Sequence, residues 1–501
     1  MPNGKRTSHR AKTVNSMISA SLLLFLSQAT MLACSILSNI LLARGLGPQK
    51  YGQYSVVTAI LFTAETLAYS GIVLFIQKCL AQNRSFARSI AGTLLKYQVS
   101  YSFFLCMGWH FLVPPMVRFF HDEGLIVPLR AVSFDIILCS LYNFYNNSLN
   151  GLGQFGKQAL NIISYSLAKF LMILIALWLG WGLLGALMGH LAGSTLGILV
   201  GRKLLSFSEN HTQQKAITGR EILISALPIT LLSTMLYLLT RLDLIIIRSQ
   251  IKNLTEIGIY ALASTIASSI YLLMNGISAP LLSLSSNAIQ TDKIQLVQEY
   301  IRQYLRIFML AITPIIIVLF LTGPQFIGWI FSTKYEAAAN LINILVFDMG
   351  FLSLFMAIAI LLYGCNASIQ PLLIGTGMIV IEMIFCPLFI RIWGAQGAAL
   401  LATLTALLGS IGVTYLLFQR YVFSLNFLTI ARCLIATVLS IPIFAVFRGN
   451  THYLVVFGSM LFLFFYFAWL FLLKELSFYK WKLYLKSICY GRKMFFPDDA
   501  L

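Results

Sequence analysis

Charge is what this sequence has least of: Asp, Glu, Lys and Arg together make up 10% of 501 residues, against 59% hydrophobic ones. A soluble domain keeps roughly 25% charged residues because its surface faces water. A chain this poor in charge presents most of its surface to something other than water. Acidic residues are scarcest, 16 against 35 Lys and Arg, for a net charge of +19. That imbalance does not describe a nucleic-acid binder, because the basic residues fall mostly in short segments between apolar runs and build no module able to grip a duplex. No connecting segment exceeds about 20 residues, which leaves no room for a catalytic domain outside the membrane. The eight cysteines (Cys34, Cys79, Cys106, Cys139, Cys365, Cys386, Cys433, Cys489) are scattered and show no CxxC or Cys/His spacing. They read as small core residues, and neither a metal nor a cofactor is expected.

What is present is apolar sequence, with a mean hydropathy of +0.84. It comes in runs of about 20 residues, the length needed to cross ~30 Å of hydrocarbon at 1.5 Å per residue. Lipid offers the backbone no hydrogen bonds, so such runs are helices. The expected fold class is all-α integral membrane, with about fourteen transmembrane helices near 17–43, 53–76, 94–113, 125–150, 158–179, 182–201, 221–241, 256–280, 303–322, 341–364, 370–391, 396–419, 427–447 and 452–473. Lys5, Arg6, Arg10 and Lys12 precede the first run as they would in a signal peptide. The run from Met17 to Ala43 is too long for an ordinary signal h-region and reads as an uncleaved span. Placing both termini and the even-numbered connections on one side collects 23 Lys and Arg there against 10 opposite. Cytoplasmic segments carry the basic excess, so both termini are expected in the cytoplasm.

The chain also repeats itself. Phe134-Asp135, Ser140-Leu141 and Gly151 match Phe347-Asp348, Ser353-Leu354 and Gly364 at an offset of 213. Trp181-Gly-Leu-Leu-Gly-Ala-Leu187 resembles Trp393-Gly-Ala-Gln-Gly-Ala-Ala399, and Tyr51-Gly-Gln-Tyr54 resembles Ile257-Gly-Ile-Tyr260. Ordered matches of this kind indicate duplication of a six-helix unit. Six is even, so the two units enter the membrane from the same side as parallel pseudo-repeats, with a substrate site expected between them near the midplane. The expected organisation is an N-terminal six-helix lobe over 1–203, a cytoplasmic linker over 204–219 and a C-terminal six-helix lobe over 220–420. Two extra C-terminal helices over 421–473 and a basic cytoplasmic tail over 474–501 complete it.

The stretch Leu41-Leu-Ala-Arg-Gly-Leu-Gly-Pro-Gln-Lys-Tyr-Gly-Gln-Tyr54 closely resembles a motif that follows the first span of O-antigen and related polysaccharide flippases. These belong to the superfamily of multidrug, oligosaccharidyl-lipid and polysaccharide exporters. Arg241-Leu-Asp243 followed by Ile257-Gly-Ile-Tyr260 is similar to the same family in the second half. The resemblance implies a two-lobe exporter that is not an enzyme. It would move undecaprenyl-diphosphate-linked oligosaccharide from the cytoplasmic to the outer leaflet of a bacterial inner membrane, for O-antigen, capsule or exopolysaccharide assembly. Its partners would be that lipid-linked substrate, membrane lipid, and glycan polymerases or glycosyltransferases. Gly45, Gly47 and Pro48 suit a tight turn between the first two spans, and Gly52 is assigned a structural role with them.

A charge at the bilayer centre costs roughly 2.5–3.5 kcal/mol on insertion scales, so each one needs a reason. Lys169 and Glu382 lie at equivalent positions of the two halves, an offset of 213, as do Asp135 and Asp348. Lys169, Arg241 and Arg44 are the expected cationic partners of a diphosphate, whose anionic oxygens need desolvated positive groups. Glu382, Glu65 and Asp243 are candidates for proton or ion coupling. Asp135 and Asp348 are assigned structural hydrogen bonding, because both halves keep them. In the polar run Tyr142-Asn-Phe-Tyr-Asn-Asn147, helix-end polarity is favoured over sugar binding. A drug or cation antiporter of the same superfamily would commonly place a carboxylate in the first span, and Met17 to Ala43 holds no Asp or Glu. A flippase for the peptidoglycan lipid precursor shares the chemistry and the span number. A glycan polymerase or ligase would need a large outer loop.

Overall fold

The computed structural model describes residues 3–82, 84–207, 218–290, 294–364, 369–421, 427–446 and 452–476. Most of the expected linker, the tail beyond 476, Cys365, Cys489 and the side chains of the first 22 residues lie outside the described set. Among the described residues every long element is a helix and no strand occurs. In chain order these are α1 (Asn3–Gln82), α2 (Ala87–Phe120), α3 (Ile126–Gly151), α4 (Phe155–Trp178), α5 (Gly182–Leu204), α6 (Gly219–Leu239) and α7 (Leu242–Gln250). There follow α8 (Leu254–Gln290), α9 (Ile294–Phe326), α10 (Ala338–Gly364), α11 (Ile369–Trp393), α12 (Ala395–Arg420), α13 (Phe427–Val446) and α14 (His452–Leu472). Eleven stretches of the described residues are long and apolar enough to cross a bilayer. Large apolar side chains such as Phe104, Phe111, Trp178, Leu373 and Phe464 are exposed on them. In water such surface would drive association, and a bilayer is what covers it.

The longest of these stretches, Leu23–Gln82, is 60 residues, and as one straight rod it would be about 90 Å long, three times a hydrocarbon core. It is not straight. Gly47 interrupts it at φ 70°, ψ 170°, and Pro48 opens the second arm. Glycine tolerates that positive φ, and proline at a helix start loses no hydrogen bond. Asn39 and Tyr51, about 18 Å apart along a straight helix, instead meet side chain to side chain at 3.4 Å. The chain therefore folds back at Gly47, and the expected loop of several residues is a one-residue break.

The duplication is visible in the helix ends. α3 and α10 both close on the glycines matched in the sequence, Gly151 and Gly364. Gly182 and Gly394, at the offset of 212, share a positive φ, 62° and 59°. Packing repeats as well: α3 with α5 and α4 with α5 in the first half, α10 with α12 and α11 with α12 in the second. One departure from the expected span limits concerns span seven. It does not finish at 241 but breaks there, with Arg241 at φ −141°, ψ 0°, and continues as α7. Arg241 and Asp243 lie at this joint, just past the apolar stretch Gly219–Leu239. α13 and α14 pack on each other and on α9. The carboxylate of Glu475, beyond α14, ties them down by bonds from Arg306 Nε (2.6 Å), Arg432 Nη1 (2.7 Å) and Thr429 Oγ1 (2.8 Å). That accounts for Arg432, a charge placed inside a span.

The two lobes meet chiefly along α1 against α6 and α8. Near the Gly47 end the second arm of α1 crosses α8 at Gly52 and Gly258, the glycines of the repeated motif. A Cβ on Gly52 would lie 2.8 Å from Gly258 N and from Leu254 O. Three further contacts join the lobes at this end. Arg248 pairs with Asp122 at 2.6 Å. Arg44 donates to the carbonyls of Trp329 and Ile330, and Tyr335 donates to Ala43 O at 3.0 Å. At the opposite, linker end the seam is apolar: Ile72, Val73 and Ile76 of α1 share a buried cluster with Ile222 and Ala226 of α6. Both ends carry lobe-to-lobe contacts among the described residues, and polar side chains lie between them.

Candidate functional site

Between these two ends a chain of aromatic and cationic groups crosses the lobe boundary. Lys169 of α4 holds its ammonium 5.6 Å from the Phe62 ring centroid of α1. Phe62 in turn meets the Tyr237 ring of α6 edge-on, at 6.3 Å between centroids. Tyr237 interacts with Arg241, whose Nη1 donates to Ser264 of α8 at 3.3 Å. Lys169 and Arg241 therefore flank one ring pair, one cation from each lobe, and both remain partly exposed in the interior. A cation over an aromatic face gains about 0.5–2 kcal/mol, which holds the ammonium in place while leaving its donors available.

Each lobe keeps a cluster of carboxyls behind this seam. In the first, Glu65 of α1 adjoins Asp135 and Cys139 of α3, with the Lys169 charge close by. Asp135 also adjoins Ser194 of α5. Among the described residues no ion pair within 4.0 Å includes Lys169, and one oxygen each of Glu65 and Asp135 is buried without a hydrogen-bond partner. In the second lobe Asp243 accepts a short hydrogen bond from Tyr260 and another from Leu244 N at 2.7 Å. Glu382 accepts from Thr405 at 2.7 Å and keeps one oxygen unpartnered. Asp348 feels the charges of both Asp243 and Glu382. Among the described residues no group of three or more His, Cys, Asp or Glu is arranged to hold a metal ion.

The sequence reading is rearranged in two respects. Lys169 and Glu382, equivalent in the repeat, each belong to their own lobe's cluster. Lys169 and Arg241 do come together across the seam, whereas Arg44 lies at the Gly47 end, bound to carbonyls. Asp135 and Asp348, assigned to structural bonding, are neighbours of the coupling candidates Glu65, Asp243 and Glu382. The Asn residues of the 142–147 run bond their own helix, Asn143 to Cys139 O and Asn147 to Asn143 O, as helix-end polarity requires. Tyr142 stacks on Tyr165 at 4.3 Å.

Four further aromatics take part to which the sequence alone assigns no site role. Phe62 and Tyr237 carry no local signal that separates them from other aromatics in spans. Tyr54 and Tyr260 do carry one, since both close the repeated motif. Tyr54 meets Nε2 of buried His190 at 2.9 Å, and Tyr260 meets Asp243, so the same motif position holds a titratable group in each lobe.

Several solved structures share this fold. A multidrug resistance MATE family transporter of the MOP superfamily, inward-facing, aligns with a TM-score of 0.65 at 15% identity, covering 77% of this chain and 94% of that one. The lipid II flippase MurJ, in an inward closed conformation, aligns with a TM-score of 0.69 at 15% identity over 90% and 98%. A MOP superfamily transporter from Pyrococcus furiosus aligns with a TM-score of 0.60 at 16% identity over 81% and 96%. At such identities the likeness establishes the two-lobe exporter fold. No curated protein matches the sequence. The family model described as polysaccharide biosynthesis protein matches residues 41–340, more than half of the chain, beginning within the motif that ends at Tyr54. This multi-pass membrane protein belongs to the polysaccharide biosynthesis protein family.

Proposed function

We propose that the chain is a flippase that moves undecaprenyl-diphosphate-linked oligosaccharide, an O-antigen, capsule or exopolysaccharide unit, from the cytoplasmic to the outer leaflet of a bacterial inner membrane. The observation that carries this reading is the pair Lys169 and Arg241, one from each lobe, flanking Phe62 and Tyr237 in the lobe seam. A diphosphate presents several anionic oxygens at once, and two cations on separate rigid bodies bind it best when the bodies are correctly apposed. Cargo binding then favours one arrangement of the lobes over another, which is the requirement for alternating access. Family membership supports the glycan half of the cargo. No bond is made or broken in such a step, so the protein is assigned no enzymatic activity.

The Gly47 end faces outward in this reading, as the excess of Lys and Arg at the linker end implies. Coupling falls to the two carboxyl clusters. Like charges as close as Asp348, Asp243 and Glu382 repel, so the cluster binds a proton or small cation more readily in one lobe arrangement than in another. The drug or cation antiporter and the peptidoglycan precursor flippase share this fold; the cation pair in the seam and the matching family model favour the polysaccharide carrier. Adjacent glycosyltransferases and a glycan polymerase are the expected functional partners. Lys169→Ala and Arg241→Ala are each expected to abolish lipid-linked glycan translocation while the protein still reaches the membrane, with Lys169→Arg retaining part of it. Wild-type flux in Lys169→Ala at matched expression would sink the cation-pair reading.

A further inference from the structure

At the Gly47 end the two lobes border a half-open cavity. It has a volume of about 350 Å³ and is lined by Ala43, Arg44 and Gly47 from one lobe and Ser332, Thr333 and Lys334 from the other. Its chemistry is one-sided. Arg44 uses Nε and Nη2 on the carbonyls of Ile330 and Trp329, at 2.7 and 2.6 Å, which fixes the plane of the guanidinium and leaves Nη1 without a bond among the described residues. Lys334 is exposed and enters no ion pair among the described residues. No carboxylate lines the space. The second arm of α1 starts at Pro48, directly after Gly47, so the positive end of a long helix dipole adjoins the same cavity. A methyl group placed on Gly47 would meet nothing within 4 Å, so the space reaches the backbone itself.

We propose that this cavity is a second anion site, built for the phosphate or diphosphate headgroup of a lipid and separate from Lys169 and Arg241. Arg44 and Lys334 supply charge from the two lobes, and the hydroxyls of Ser332 and Thr333 supply donors to the remaining oxygens. The site exists only while the lobes touch at this end, because Arg44 and Lys334 belong to different bodies. A headgroup bound there favours the arrangement closed at the Gly47 end, and opening of that end expels it. The cargo reading above is needed only for one of the two sources of such a headgroup, the exported carrier; a bilayer phospholipid is the other.

The test uses the purified full chain in detergent and radiolabelled inorganic pyrophosphate as the probe, measured by equilibrium dialysis. The Lys169→Ala/Arg241→Ala variant, which lacks the central cations, should still bind the probe. Adding Lys334→Gln should then weaken that binding about tenfold, the effect of one charge-assisted contact. Lys334 is exposed and bonded to nothing that holds the fold, so the substitution leaves the seam intact, and an unchanged melting temperature checks this. Competition by phosphatidylglycerol vesicles would support a bilayer phospholipid as the occupant. Competition only by a dispersed isoprenyl diphosphate would support the exported carrier. Binding that is abolished by Lys169→Ala/Arg241→Ala, or that is indifferent to Lys334→Gln, overturns the outer site while leaving the central-site reading standing.

Discussion

Replacing Gly258 with alanine adds one methyl group where the lobes cross, and the structure says what it meets. The new Cβ would lie 2.7 Å from the carbonyl carbon of Pro48 and closer still to its oxygen, both backbone atoms that cannot rotate aside. Helix α8 and the second arm of α1 must separate. Overpacking of this kind costs about 1–3 kcal/mol, and with 1.4 kcal/mol per factor of ten the balance should move about 5- to 100-fold toward the arrangement open at the Gly47 end. Ser55, one turn along α1 from Gly52 and buried, reports the opening once changed to cysteine. In intact cells a membrane-impermeant maleimide should label Ser55→Cys faster by that factor when Gly258→Ala is present. Gly92→Ala serves as control, since a methyl group there meets nothing within 4 Å. Equal labelling rates with and without Gly258→Ala, in protein that remains folded, would refute the claim that this glycine pair closes the outer seam.

Three further outcomes follow from the same geometry. Gly71→Ala, whose Cβ would lie 2.9 Å from the carbonyl carbon of Ala226 and against Thr230, should loosen the linker end and slow labelling of Ser55→Cys, the reverse of Gly258→Ala. Arg248→Ala and Asp122→Ala should each raise that labelling, and the double variant no more than either alone, because both remove one ion pair; additive effects would show that the pair is not coupled. Burial alone would push the Glu475 carboxyl upward, but Arg432, Thr429 and Arg306 outweigh it and hold the group below the ordinary carboxylate value. A depressed folded value means stability that is present above about pH 4.3, the unfolded value, and lost as pH falls through the folded one. Protection of the α13 and α14 amides, taken relative to the intrinsic exchange rate at each pH, should therefore stay high at neutral pH and fall in acid, with Glu475→Gln low at both; identical protection in Glu475→Gln at neutral pH would remove this clamp from the account.

The lobes were legible in the sequence because a duplication leaves residues as well as helices behind. Phe134-Asp135 and Phe347-Asp348 predicted equivalent helices, and Gly182 and Gly394 keep even the same φ. The site was half legible. Insertion cost singles out any intramembrane charge, so Lys169, Glu65, Asp243 and Glu382 stand out from their apolar surroundings. What cost cannot tell is which charge faces which. Equivalence in a parallel repeat places Lys169 and Glu382 in separate lobes and leaves open what each meets; the cation on the other side of the Phe62–Tyr237 ring pair from Lys169 is Arg241. Gly52 was readable as structural and Gly258 as its counterpart in the repeat, though their mutual contact depends on a lobe crossing that no local pattern encodes. Phe62 and Tyr237 were invisible, because an aromatic in a span has the same sequence signature whether it meets lipid, core or cargo.

The cation pair as a diphosphate-binding seam is tested most directly by reconstitution. Purified protein in liposomes, with undecaprenyl-diphosphate-linked oligosaccharide confined to one leaflet, should expose the glycan to an enzyme on the other side at a rate set by the protein. Lys169→Ala and Arg241→Ala should reduce that rate to the protein-free background, while Gly92→Ala leaves it unchanged. Glycan that stays inaccessible with wild-type protein, or that crosses equally fast without both cations, would contradict the account.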